Sequence, residues 1–182
     1  MSIVKYLLML VILLAGFKYV FAQQISHEKV REQFFTMDRS GASGLYNLLR
    51  AKDLTKDPVM LAYRGAALAA SAGSAQGVWA KLECFNNGKS EIEKAVELKP
   101  LNVEVRFLRL ATQVNAPGFL GYASEVKNDR AMIINSLLNI PGNHANAYLY
   151  LRICRFILAQ AEPEKGQAET VNLLIIKFNS RK

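Results

Sequence analysis

Apolar residues recur at helical spacing along nearly the whole chain, and nowhere at the spacing of a strand. Val30, Phe34 and Met37 fall at i, i+4 and i+7, and Val103, Phe107, Leu110 and Val114 repeat the pattern. Val126, Ile133 and Leu137 form a third stripe, and Val171, Leu174, Ile175 and Phe178 a fourth. Each set lies on one face of a helix of 3.6 residues per turn. No stretch alternates as a half-buried strand does, and Asn87-Gly88 precedes the helical run EIEKAVEL instead of joining two alternating runs. The chain is therefore expected to be all-α.

The first residues read as a secretory leader. Lys5 is followed by the apolar run Tyr6 to Gly16, and Val20-Phe21-Ala22 ends on a small residue. That order of positive, apolar and small-residue segments is the pattern of a signal peptide. The apolar run is short for a membrane span, which takes about 20 residues, and Lys18 stops it from lengthening. Residues 1–22 are expected to be removed, leaving 23–182 as a single domain that is periplasmic or secreted. Membrane association is expected only through an uncleaved leader. Lys5 and Lys18 are the leader's only charges, so the net charge falls from +8 to +6 beyond residue 22. The remaining lysines and arginines are scattered, and export separates the chain from nucleic acid, so the excess reads as a solvated, mildly anion-attracting surface. Cys84 and Cys154 can pair in an oxidising compartment, but their spacing does not fix their distance.

Pro58, Pro100 and Pro141 stand 42 and 41 residues apart, each expected at or just before a helix start. Asp57 is a natural N-cap with Pro58 at the first helical position, and Asn102 and Asn143 are candidate caps for the next two helices. Aligned on these prolines, Arg64 matches Arg106, and Gly65, Phe107 and Tyr148 fall together. The segment Ala95-Val96-Glu97-Leu98-Lys99-Pro100-Leu101-Asn102-Val103-Glu104 resembles the junction between two tetratricopeptide repeats, with Ile92 in the large apolar position and Gly88 in the small one. The next helix departs from that family, carrying Arg106, Arg109, Leu110 and Gln113 where Trp, Leu, Gly and Tyr are usual. The period also exceeds the usual 34 residues, with the excess expected in 73–87 and 115–124. The resemblance implies an array of about six to seven helices stacked as antiparallel hairpins.

Catalytic and cofactor motifs are absent. Gly88-Lys89-Ser90 has the ending of a phosphate-binding loop, but Glu83 stands where the first glycine belongs, and the motif reads as a helix N-terminus. No G-x-S-x-G or G-x-G-x-x-G occurs. His27 and His144 are the only histidines and have no metal-ligand spacing. Glu93 and Glu97, one turn apart, read as a solvated helix face. No cofactor, metal or catalytic residue is proposed.

The chain's polar interest lies in two stripes. Arg106, Arg109 and Gln113 flank the apolar face of the expected helix 103–114. His144, Tyr148, Arg152 and Arg155 line the expected helix 144–158. Either the arginines pair with internal acids such as Glu104, Glu125 or Asp129, or they line a groove for a carboxylate or acidic peptide. Arg64 extends that groove if the proline alignment is right. Phe119, Leu120 and Tyr122 in the loop 115–122, and Trp79 in an expected earlier loop 77–82, either plug the core or form a contact surface. The expected function is a non-catalytic protein- or peptide-interaction module of the cell envelope. The alternative is a small-ligand binder or enzyme with a pocket across helices 103–114 and 144–158.

Overall fold

Several helix starts in this chain are set by side chains that satisfy the free N–H groups of a first turn. Asp57 accepts from Met60 N at 3.2 Å ahead of Pro58, and Asn102 accepts from Glu104 N and Val105 N at 3.0 Å each. Two of the three expected caps are therefore in place. The computed structural model describes residues 25–180, so the expected leader lies outside the described residues. Eight α-helices are described: α1 His27–Thr36, α2 Arg39–Leu49, α3 Pro58–Ser71, α4 Val78–Leu98, α5 Val103–Asn115, α6 Val126–Leu138, α7 Ala147–Gln160 and α8 Lys165–Asn179. Short 3-10 turns occupy Ala72–Ser74 and Gly118–Leu120, and the described residues contain no strand. The fold is all-α.

Several local expectations are corrected. Eight helices stand where six to seven were expected, partly because the first stripe is broken. Met37 is extended, and Asp38 Oδ1 takes the N–H of Gly41 at 2.8 Å to start α2. The segment 77–82 is not a loop: α4 begins at Val78 after Gly77, whose φ of 81° suits glycine, and runs through Gly88-Lys89-Ser90. That triplet is mid-helix, not a helix N-terminus. Pro141 does not begin a helix, because α7 starts only at Ala147, and Asn143 does not cap it. The backbone there is held elsewhere. A Cβ on Gly142 would stand 2.6 Å from the carbonyl oxygen of Lys177 in α8.

Packing follows the stripes. α3 and α4 lie antiparallel, since Gly65 meets Ile92 and Ala69 meets Gly88. α7 and α8 do likewise, with Tyr150 against Phe178 at 5.4 Å between rings and Ala161 near the start of α8. Arg130 of α6 holds that corner by donating to Ala161 O and to Gln167 Oε1. Helix α3 packs along α5, and α7 reaches α5 through an aromatic contact. Tyr63 donates to Glu104 at 2.7 Å, and the rings of Phe107 and Phe156 meet edge to face at 5.3 Å. One core joins nearly all helices, with Tyr63, Phe107, Ile92, Leu108, Ile133 and Ile153 among its fully buried side chains. Among the described residues, no helix is long and apolar enough to cross a membrane.

Both cysteines are free. Cys154 is buried in α7, where burial pushes its thiol up to about 12, while Cys84 is partly exposed. Iodoacetamide at neutral pH should therefore add one label to the folded protein, at Cys84, and two after denaturation. Intact mass before and after denaturant checks this. A doubly labelled native protein would contradict the burial of Cys154.

Candidate functional site

The face built by α3, α5 and α7 is half filled by the chain itself. Helix α1 lies across it and is pinned by Arg31. Its Nε and Nη2 donate to the two carboxylate oxygens of Glu104 at 2.7 and 2.6 Å, and its Nη1 to Asn146 at 3.2 Å. Glu104 is buried and also accepts from the Tyr63 hydroxyl. Its hydrogen bond, outweighing the burial of Arg31, raises the guanidinium pKa. Burial, then Glu104, raises that of Tyr63, so the hydroxyl stays protonated and donates. Next along α1, Phe34 meets the rings of Tyr63 at 5.3 Å and Phe107 at 6.4 Å, and Phe35 stacks on Phe107 at 5.5 Å. His27 reaches Asp57 at 2.7 Å and fastens the start of α1 to the start of α3.

Arg31→Ala should therefore loosen α1. Hydrogen bonds to charged groups contribute roughly 1.5–3 kcal/mol, and Arg31 is partly solvated, so a loss of about 2 kcal/mol is expected. Hydrogen exchange should show the amides of 27–36 speeding up first. Uniform acceleration over all helices would show that α1 is not a separate unit.

The residues expected to form a groove are divided among different surroundings. Arg64 donates to Glu91 at 2.9 Å and to the carbonyl of Lys52 at 3.0 Å. Arg109 lies between α5 and α6, bidentate on Asp129 at 2.7 and 2.8 Å, and also bonds Glu93 at 2.8 Å. Burial opposes its charge, but the hydrogen bonds and attraction of Asp129 and Glu93 prevail and raise its pKa. Arg106 Nε stands 2.9 Å from Asp129 Oδ1 as an ion pair, off the line of a hydrogen bond. Burial raises the Asp129 pKa against the pull of both arginines.

Arg152 lies elsewhere, over the ring of Phe35 at 4.2 Å and 3.5 Å from Glu32. Tyr148 is 57 % exposed, and Arg152 lies over its ring at a longer 5.6 Å. His144 precedes α7 and accepts from Asn146 N at 3.0 Å. Gln113 is 2 % exposed, and neither of its amide atoms has a hydrogen-bond partner. The structure thus joins Arg106 to Arg109 on Asp129 and places Arg152 against α1, so these arginines do not share one open groove. Glu93, read as solvated, instead joins Arg109 to Tyr122, whose hydroxyl donates to it at 2.5 Å. Among the described residues, no group of three or more His, Cys, Asp or Glu could hold a metal ion.

The second half of the same face is open. Beyond the end of α1 lies a trough of about 810 Å³. Its floor is Ala66, Ala69, Ala70 and Ala111, and Phe85, Phe107 and Phe156 wall it. Phe119 stands at its lip, 84 % exposed. Trp79, 85 % exposed, lies two residues before Lys81 of the trough wall. The polar lining is mostly committed to its own helix: Thr112 donates to Leu108 O at 2.9 Å, and Asn115 to Ala111 O at 2.8 Å. The trough is thus mainly apolar, with Asp38, Lys81 and Gln160 also in its lining. Sequence reasoning missed it because α1 had not been placed. The signal was the Phe34-Phe35 pair, which a helix turns about 100° apart and so demands two separate contacts.

Compared with protein-family models, curated proteins and solved structures, the chain matches none.

Proposed function

We propose that the chain is an exported, non-catalytic helical-repeat protein of tetratricopeptide-like build, serving as a protein- or peptide-interaction module of the cell envelope. The trough beside α1 carries this reading. An apolar concavity with a large aromatic side chain, Phe119, left in solvent at its edge is a mark of a docking surface. Its lining favours recognition by shape and apolar area. The arginines on this and the neighbouring faces are engaged with Glu91, Asp129, Glu93 and the residues of α1, so an acidic partner is drawn by the overall positive charge and not by free guanidinium forks.

The repeat reading is supported by α3 packing along α5, and by Arg64 and Arg106 each pairing with an acid on the helix that follows its own.

An affinity capture from the envelope fraction tests the proposal. The protein and an Ala70→Phe variant, which fills the trough from an exposed floor position, serve as paired baits. Partners retained by the first and lost by the second support docking in the trough. Identical retained sets would remove the trough from the reading.

A further inference from the structure

We propose that the seat of α1 is the protein's partner-binding site, held closed by α1 itself, and that the partner is a helix carrying an arginine followed three and four residues later by aromatic side chains. This rests on the reading of the chain as an interaction module, and names the site and the chemistry of its occupant.

The seat is assembled without α1. Tyr63 of α3 donates to Glu104 of α5, and Asn102 fixes the first turn of α5 by accepting from Glu104 N and Val105 N. Asn146, just ahead of α7, adds a third acceptor oxygen beside the two of Glu104, and Arg31 uses all three. A planar guanidinium spans such a set, whereas the ammonium of a lysine is a point charge. Glu104 is 6 % exposed, so an occupant lacking a cation here leaves a buried carboxylate uncompensated and is disfavoured. The charges on either side are ordered too. Asp57 takes His27, one turn before Arg31, and Arg152 faces Glu32, one residue after it. Phe107 then receives both Phe34 and Phe35. The seat therefore selects a helix bearing a base, an arginine, an acid and an aromatic pair, in that order.

Helix α1 is suited to leaving. Its ten residues fall short of the roughly 12–15 at which a helix begins to persist alone in water, so it is held by its seat. His27, Glu28, Lys29, Glu32, Gln33 and Thr36 are exposed, and only Val30 is fully buried. The helix ends at the extended Met37, and Asp38 caps α2 separately, so α1 can swing away without unwinding α2. The seat is also longer than its tenant. Phe34, Phe35 and Met37 line the trough of about 810 Å³ that continues beyond the last turn of α1. A longer helix in the same register fills seat and trough together, and that extra burial favours the partner over α1.

The probe is a fluorescein-labelled peptide of residues 25–38, offered to residues 23–182, which include all the described helices. Fluorescence anisotropy compares the parent with Arg31→Ala and with Phe35→Ala, each of which loosens α1 and leaves the seat intact. Phe35→Ala keeps Glu104 paired, so it serves should Arg31→Ala melt the remaining helices. Both variants should bind the peptide more tightly than the parent does. The gain for Arg31→Ala should reach about thirtyfold, the factor by which losing the Arg31 bonds weakens the competing α1. Alanine in place of the peptide's own arginine should abolish binding to both variants.

A parent that binds as tightly as the variants, variants that bind no peptide, or a peptide indifferent to its arginine each overturns the proposal. The paired capture with Ala70→Phe is read separately. Partners lost by Ala70→Phe, with no peptide bound by either loosened variant, reject the closed seat and keep the interaction reading. Identical captured sets with no peptide bound reject both.

Discussion

Asp129→Ala should destabilise the fold by about 3–5 kcal/mol, read as a fall in melting temperature of roughly 10 °C for a domain of this size. Asp129 is fully buried and is the carboxylate that Arg106 and Arg109 share. The pairs themselves add little net stability, because burying the charges offsets much of their attraction, as the raised Asp129 pKa reflects. The loss comes from what remains when the carboxylate is gone: two guanidiniums packed between α5 and α6, with only Glu93 and the more distant Glu125 within reach of Arg109. A compensated variant separates the two contributions. Replacing Arg106 and Arg109 with Met and Asp129 with Leu removes all three charges together, and should recover most of the lost stability. A single-variant loss below about 1 kcal/mol, or a triple variant no better than the single, would show that the network is not buried as described.

That network also shows how far the sequence could be read. Pairing of the arginines with internal acids was one of two open alternatives, and Asp129 and Glu125 were named among the candidates, so the chemistry was legible from residue type. The geometry was less so. Glu104, expected to serve the same stripe, serves Arg31 instead, across 73 residues of chain. Caps were legible at Asp57 and Asn102 because a cap is a contact over two or three residues. The start of α7 was not, since the approach of Gly142 to the backbone of α8 holds that loop and lies outside any local window. The loop aromatics divided between the two expectations set for them. Tyr122 plugs the core from outside, while Phe119 and Trp79 stay in solvent. No periodicity argument distinguishes these cases. Which ring turns inward depends on Glu93 and Phe85 lying beneath the loop.

Gly88→Leu should be comparably damaging, at or above the upper end of the ~1–3 kcal/mol of ordinary overpacking. A glycine inside a helix costs about 1 kcal/mol relative to alanine, so one kept in the middle of the 21-residue α4 requires a reason. The reason is the α3 backbone. A Cβ on Gly88 would stand 2.4 Å from the carbonyl oxygen of Gly65 and 2.5 Å from Ala69 N, and one on Gly65 would stand 2.6 Å from the carbonyl oxygen of Gly88. These are main-chain atoms, which cannot rotate aside as a side chain can, so the two helices must part along their length. Parting them also strips cover from Ile92, which is fully buried one turn further along α4. The small-over-large order of Gly88 and Ile92, expected from the junction at Pro100, therefore has a steric origin in this pair of helices. Gly44 in α2 provides the contrast, because a Cβ there meets nothing within 4 Å. Gly44→Ala should stabilise by about 0.5–1 kcal/mol through helix propensity alone. Denaturant melts of the two variants beside the parent decide the matter. If Gly88→Leu melts with the parent, the close approach of α3 and α4 is wrong, whatever Gly44→Ala does.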